Sequence, residues 1–234
     1  MTPPRFDQLL ITCEHASNAT GTYPFANRPV LSTHRAWDPG ALTLARELAK
    51  AAGVQAHTGK LTRLLIDLNR REGSKGTFSE YTPEAGRAAL LAYHRNWRSA
   101  VLADARRLAA KGRLLHVSCH SFTPELHGEV RNAEIGLLYD PRRKLEKATA
   151  DAWHAELCES LPALRIRRNY PYRGTSDGVT TWLRREIGRR YAGFEIELNQ
   201  SFAAKPPRDW ADVRRALIAA IQHTLGNQSH AERP

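Results

Sequence analysis

Five short apolar runs, each followed or preceded by an amphipathic stretch, constrain this chain more than any other feature. The runs are 8–13 (QLLITC), 61–68 (LTRLLIDL), 113–119 (RLLHVSC), 134–139 (EIGLLY) and 191–198 (YAGFEIEL). Each has the length of a buried strand. Segments 38–52, 83–111, 144–160, 177–189 and 208–225 carry helical spacing. The first is expected to start near Asp38, with Pro39 in its first turn, and to stop at Gly53. The long segment 83–111, continuous or broken, lines up Leu90, His94, Trp97, Val101, Ala105 and Leu108 at intervals of three and four. Alternation of this kind predicts an α/β sheet covered on both faces. Segments 70–82 and 120–133 are polar and irregular and are expected to be active-site loops, and the tail 226–234 is expected to fray.

The 234 residues are expected to form a single catalytic domain over 1–234. The formal charge is +11, which is compatible with nucleic acid, a membrane surface or a small anionic substrate. The basic residues are dispersed, however, and the aromatics do not interleave with Arg as a base-stacking surface requires. This argues against a nucleic-acid partner and favours the anionic small molecule. No run approaches the roughly 20 apolar residues of a membrane span. Three cysteines, Cys13, Cys119 and Cys158, with no CxxC, fit a reducing cytosol. The N-terminal residues lack the features of a signal peptide, so a cytoplasmic location is expected. Oligomeric state is not legible.

Three polar clusters sit at the ends of apolar runs. His15 follows QLLITCE, His120 follows RLLHVSC, and Glu195 and Glu197 lie within FEIEL ahead of Asn199 and Gln200. In an open α/β sheet, ligands gather outside the carboxyl ends of the strands. Two imidazoles and a carboxylate suit Zn²⁺ and leave a fourth position for water. Another carboxylate would shuttle the proton. Either histidine alone reads more simply as a strand-end residue bonded to a carbonyl; the joint pattern raises the case for a metal. HExxH, GxSxG, GxGxxG and P-loop signatures are absent. His94 reads as a core histidine bonded to a backbone carbonyl, with a pocket residue as the other reading. Cys13 and Cys119 read as packing residues. Ser176 or Asp177 is expected to cap the helix that follows.

The pieces CEHASN (13–18), WDPGA (37–41), TRLLIDLNR (62–70), CHSF (119–122), RNAEIGLLYD (131–140), NYPYRGTSDG (169–178) and FEIELNQ (194–200) resemble, in order, those of the N-formylglutamate amidohydrolase family. The resemblance implies a three-layer αβα sandwich around a mixed, mostly parallel sheet, phosphorylase/hydrolase-like and similar to zinc exopeptidases. It implies zinc-dependent cleavage of N-formyl-L-glutamate to formate and L-glutamate, within histidine degradation. It also implies His15 and His120 as zinc ligands. Zinc exopeptidases often carry a glutamate three residues after the first histidine, but Asn18 stands there, so another carboxylate is needed. Asp38 is the choice, with a helix N-cap as its plainer reading and Glu14 as the alternative ligand. Glu197 is expected to be the base, ahead of Glu195 on the same strand face. Arg63, Asn69 and Arg70 are candidates for the substrate carboxylates, Arg131 for a substrate carboxylate or the developing oxyanion, and Tyr172 or Arg173 for the pocket wall. A peptide or peptidoglycan amidase on the same metal is the nearest competing activity; a basic nucleic-acid-binding protein is the competitor from another class.

Overall fold

A computed structural model describes residues 4–204 and 207–226; most of the tail, from 227 on, lies outside the described residues. Six strands form the main sheet: β1 (Gln8–Cys13), β2 (Ala56–Thr58), β3 (Leu114–Phe122), β6 (Ile135–Leu138), β7 (Ile166–Arg168) and β8 (Tyr191–Asn199). Their order is β2-β1-β3-β8-β6-β7. Every adjacent pair is parallel except β6 and β8, so the sheet is mixed and mostly parallel. A short antiparallel pair, β4 (Glu125–Leu126) with β5 (Glu129–Val130), stands apart from it.

Helices α1 (Ala41–Ala52), α3 (Lys144–Ser160) and α5 (Pro207–His223) cover one face; α2 (Arg87–Lys111) and α4 (Val179–Ile187) cover the other. The two-residue period of a strand sorts side chains between these faces. Leu9, Ile11 and Cys13 of β1, Leu115, Val117 and Cys119 of β3, and Ala192, Phe194 and Ile196 of β8 form one core with α1, α3 and α5. The alternate positions, Thr12, His116, Ser118, His120, Glu195 and Glu197, belong to the other face. Side chains that would be costly to bury singly are therefore gathered on one side of the sheet, where they can satisfy each other.

Four expectations are corrected. Residues 61–68 are not a strand. Leu64, Leu65 and Ile66 are buried, but in a separate cluster with Phe25, Val30, Ala36 and Leu90. The backbone there is met by turn bonds and hydroxyls rather than by a ladder: Leu65 N–H donates to Thr62 O and Asp67 N–H to Thr77 O, each at 3.0 Å, and Thr82 Oγ1 donates to Leu65 O at 2.8 Å. The edge position goes to β2 instead. The first helix begins at Ala41, after Gly40 in the left-handed region, and Asp38 makes no side-chain cap. Neither Ser176 nor Asp177 caps α4; Asn69 Oδ1, from a different segment, accepts the Val179 N–H at 2.8 Å. The polar segment 120–133 is also more regular than expected, since its first three residues continue β3 and β4 pairs with β5.

Candidate metal centre

Backbone geometry brings the first carboxylate to the first histidine. The Asp38 N–H donates to His15 O at 3.0 Å, joining the turn after β1 to the segment that leads into α1. His120, in β3, lies in register opposite Glu197 of β8. His15, Asp38 and His120 are all buried, and their candidate ligand atoms lie within 4.8 Å of one another. Asp38 Oδ2 is 3.2 Å from His15 Nδ1 and 2.9 Å from His120 Nδ1. Ligand atoms around a tetrahedral zinc stand about 3.4 Å apart, given bonds near 2.1 Å. Both imidazoles thus turn Nδ1 toward one carboxylate oxygen at close to the required spacing.

The outer nitrogens are occupied by carboxylates. His15 Nε2 is 2.7 Å from Asp67 Oδ1, and His120 Nε2 is 3.2 Å from Glu14 Oε2. Carboxylates in this position orient metal-binding imidazoles and raise their basicity. Asp67 also accepts from Arg63 at 2.9 Å, and Arg63 Nη1 lies 3.6 Å from Asp38 Oδ1. Of the three carboxylates, Asp38 and Asp67 share the Arg63 guanidinium, while Glu14 bonds only to hydroxyls and His120. With both imidazoles neutral, as metal ligands are, three carboxylates against the one guanidinium paired with them would leave two negative charges, the complement of a divalent cation. The donor set, its spacing and its charge all fit such an ion.

The same imbalance governs the titration of the cluster. Burial alone would raise all three carboxylates. The His15 and His120 contacts outweigh it at Asp38 and hold that group well below its usual range. Arg63 and then His15 do the same for Asp67. The hydrogen bond and charge of His120, with the Thr12 hydroxyl, bring Glu14 down to about 2. Burial would lower His120, but its bonds to Asp38 and Glu14 push it well above the ordinary imidazole value.

Glu197 behaves oppositely. It is only 4% exposed, and its Oε2 has no hydrogen-bond partner in the protein. Burial pushes its carboxyl up to about 8; His120 opposes this, while Asp38 and Glu195 add to it. Glu195 on the same face is partly exposed and accepts from Thr180 Oγ1 at 2.7 Å. One of the two expected candidates is thus already engaged, and the other is not.

The raised Glu197 carboxyl has a consequence for stability. Between its ordinary value of 4.5 and about 8, the native state holds a proton that the unfolded state has released. Stability therefore falls as pH rises through that window, because the native state binds more protons. In metal-free protein, Glu197→Gln should lack this loss. The melting temperature of the variant should rise relative to wild type from pH 5 to pH 8.5. A gap between the two that stays constant across that range would contradict the burial argument.

A cavity of about 170 Å³ opens over this cluster, lined by His15, Asp38, His120, Glu195 and Glu197 together with Arg63, Asn69, Arg70, Tyr172 and Arg173. It meets a second cavity of about 280 Å³ at Asp38, Arg63, Ser121 and Tyr172, which His34, Arg35 and Gln200 also line. Arg70 gives one bond to Asp177 O at 2.7 Å, which ties the loop to the start of α4. Arg131 is not among the residues lining either cavity. It donates to the Tyr172 hydroxyl at 3.0 Å and packs its guanidinium over the Tyr172 and Phe122 rings, at the border of the second cavity. His94 is buried with Nε2 2.9 Å from Arg70 O, the core role expected of it. Cys13 and Cys119 are buried and free.

Sequence reasoning missed Asp67, because it lies inside a run taken for a strand. Its signal was a carboxylate four residues after Arg63 among consecutive leucines and an isoleucine. Gln200, at the end of a quoted piece, and His34 were also passed over as wall residues.

The N-formylglutamate amidohydrolase family model matches residues 7–204. The chain belongs to that family, whose members are hydrolases acting on an amide. No curated protein matches the chain. Among solved structures, the gene product Atu2144 from Agrobacterium tumefaciens is 30% identical, with a TM-score of 0.70, covering 92% of this chain and 91% of that one. A succinylglutamate desuccinylase from Chromobacterium violaceum is 12% identical, with a TM-score of 0.49, over 92% of this chain and 63% of that one.

Proposed function

We propose that this chain, as a single catalytic domain, is a zinc-dependent amidohydrolase that cleaves the carbon–nitrogen bond of an N-acyl amino acid, with N-formyl-L-glutamate as substrate. Its products would be formate and L-glutamate, as in histidine degradation. The observation that carries the reading is the approach of two buried Nδ1 atoms to one Asp38 oxygen, beside a buried and unpartnered Glu197. His15, Asp38 and His120 would hold the ion. Zinc bound there would polarise the amide carbonyl and acidify water at its open position.

The chain's own residues do the rest. Glu197 takes the proton of the attacking water and passes it to the leaving nitrogen. Burial holds its carboxyl up at about 8, close enough to neutral pH for the group both to accept and to release a proton. Arg63 and Arg70 line the cavity and offer planar donors to the substrate carboxylates. Arg131, against Tyr172 at the border of the outer cavity, is assigned to the developing oxyanion or a substrate carboxylate. Asn69 would hold the loop that carries Arg70 while facing the same cavity. The three free cysteines support a cytoplasmic setting. Among the described residues no helix is long and apolar enough to cross a membrane.

The substrate class is tested by selectivity. N-formylglutamate should exceed N-formylleucine in kcat/KM, and Arg70→Ala should remove much of that advantage. Loss of a charged hydrogen bond worth about 1.5–3 kcal/mol corresponds to roughly 10- to 100-fold. The leucine substrate should be affected far less. Equal rates on both substrates in wild type would defeat the dicarboxylate assignment.

A further inference from the structure

The polar face of the sheet contains more than the site uses. From the N-terminal end of β8, a continuous line of hydrogen bonds runs to His120. The Tyr191 hydroxyl lies 2.6 Å from His116 Nδ1, and His116 Nε2 lies 2.9 Å from Thr12 Oγ1. Thr12 Oγ1 donates to Glu14 Oε1 at 2.6 Å, and Ser118 Oγ donates to Glu14 Oε2 at 2.7 Å. All of these residues are buried. Tyr191 stands six residues before Glu197, about 20 Å along the strand.

The donors in this line admit one direction. A hydroxyl has a single hydrogen. Thr12 gives its hydrogen to Glu14, so it accepts from His116, and His116 carries its proton on Nε2. His116 Nδ1 is then a bare acceptor, and Tyr191 donates to it. Ser118 likewise spends its hydrogen on Glu14, so both neighbours of His120 Nε2 are acceptors: Ser118 Oγ at 2.9 Å and Glu14 Oε2 at 3.2 Å. His120 must therefore carry a proton on Nε2, which leaves Nδ1, the atom that faces Asp38, as the nitrogen that gives up its proton when a metal binds.

An independent feature accommodates the far end of the line. Gly193 lies opposite His116 in the register of β3 and β8. A Cβ at Gly193 would stand 2.5 Å from the Tyr191 hydroxyl oxygen and 2.7 Å from its ring. The phenol thus lies back over its own strand to reach His116, and only glycine leaves room for it.

We propose that Tyr191, His116 and Thr12 are positioning residues that hold Glu14, and through it fix His120 in the tautomer that binds metal through Nδ1. This rests on the metal-site reading above. The chain would set metal affinity from deep in the fold without touching substrate.

The test measures zinc affinity by competition with a chromophoric chelator. Glu14→Gln should weaken zinc by roughly 10- to 100-fold, the usual worth of a partner behind a metal-binding histidine. Tyr191→Phe and Thr12→Val keep the shape of the side chain and remove one link each, and each should weaken zinc several-fold. Ile196→Val, on the opposite face of β8, should lower stability and leave zinc affinity unchanged. Histidine ring ¹⁵N shifts of metal-free wild type, which need no variant to fold, should show His116 protonated on Nε2 and bare on Nδ1. If wild type binds one zinc and His120→Ala loses it, while Tyr191→Phe and Thr12→Val bind as wild type, the positioning chain is overturned and the metal site stands. The opposite His116 tautomer would also overturn it. If wild type binds no zinc, the metal-site reading fails instead.

Discussion

Glu197→Gln should leave zinc bound at wild-type stoichiometry and lower kcat by about 10²–10⁴-fold, the range for a positioned acid–base group. The substitution keeps volume and planarity but removes the proton acceptor. Because Glu197 Oε2 has no protein partner, the amide disturbs no existing hydrogen bond at that atom, and folding should survive. The effect should fall on kcat and kcat/KM together, because the proton moves only as the reaction proceeds. Glu195→Gln is the control on the same face. Its carboxylate is already bonded to Thr180, and its loss should cost far less turnover. If Glu195→Gln abolishes turnover with zinc retained, and Glu197→Gln is near normal, the base is displaced by one strand repeat.

Asp38→Asn, His15→Ala and His120→Ala should behave differently, losing metal first and activity with it. Asp38 is the point at which both Nδ1 atoms converge. An asparagine there has no negative charge to hold a cation and presents two N–H donors that can turn toward it. His15→Ala and His120→Ala also leave Asp67 and Glu14 without the imidazole partners that the structure gives them. Those variants should melt lower even when metal-free, since a buried carboxylate stripped of a partner is costly. Zinc content measured beside thermal melting separates the two effects. Full zinc occupancy in any of the three would remove that residue from the ligand set.

Much of the architecture was legible because its strands and helices obey simple periods. Gln8–Cys13 and Tyr191–Asn199 match their apolar runs within a residue, and α3 matches its helical segment at both ends. The run 61–68 failed for a physical reason. Consecutive buried leucines mark burial, not extension, and turn carbonyls together with the Thr62 and Thr82 hydroxyls supply what a neighbouring strand would have supplied. At the site, His15, Asp38 and His120 were legible as strand-end or helix-start residues with metal-binding chemistry. Their outer partners were not. Asp67 was hidden in the misread run. Glu14 was weighed only as a ligand, because its bonds to Ser118 and His120 depend on the pairing of β1 with β3, which no local pattern encodes. The cap of α4 by Asn69 joins positions 110 residues apart and escapes local reading for the same reason.

Metal dependence of the amidase is the central claim, and one titration tests it most directly. Protein stripped by chelator is supplied with increasing zinc while formate release from N-formylglutamate is followed. The account predicts no turnover without metal and a linear rise that breaks at one zinc per chain. Full turnover in the stripped protein, or one zinc bound with no formate released, would contradict it.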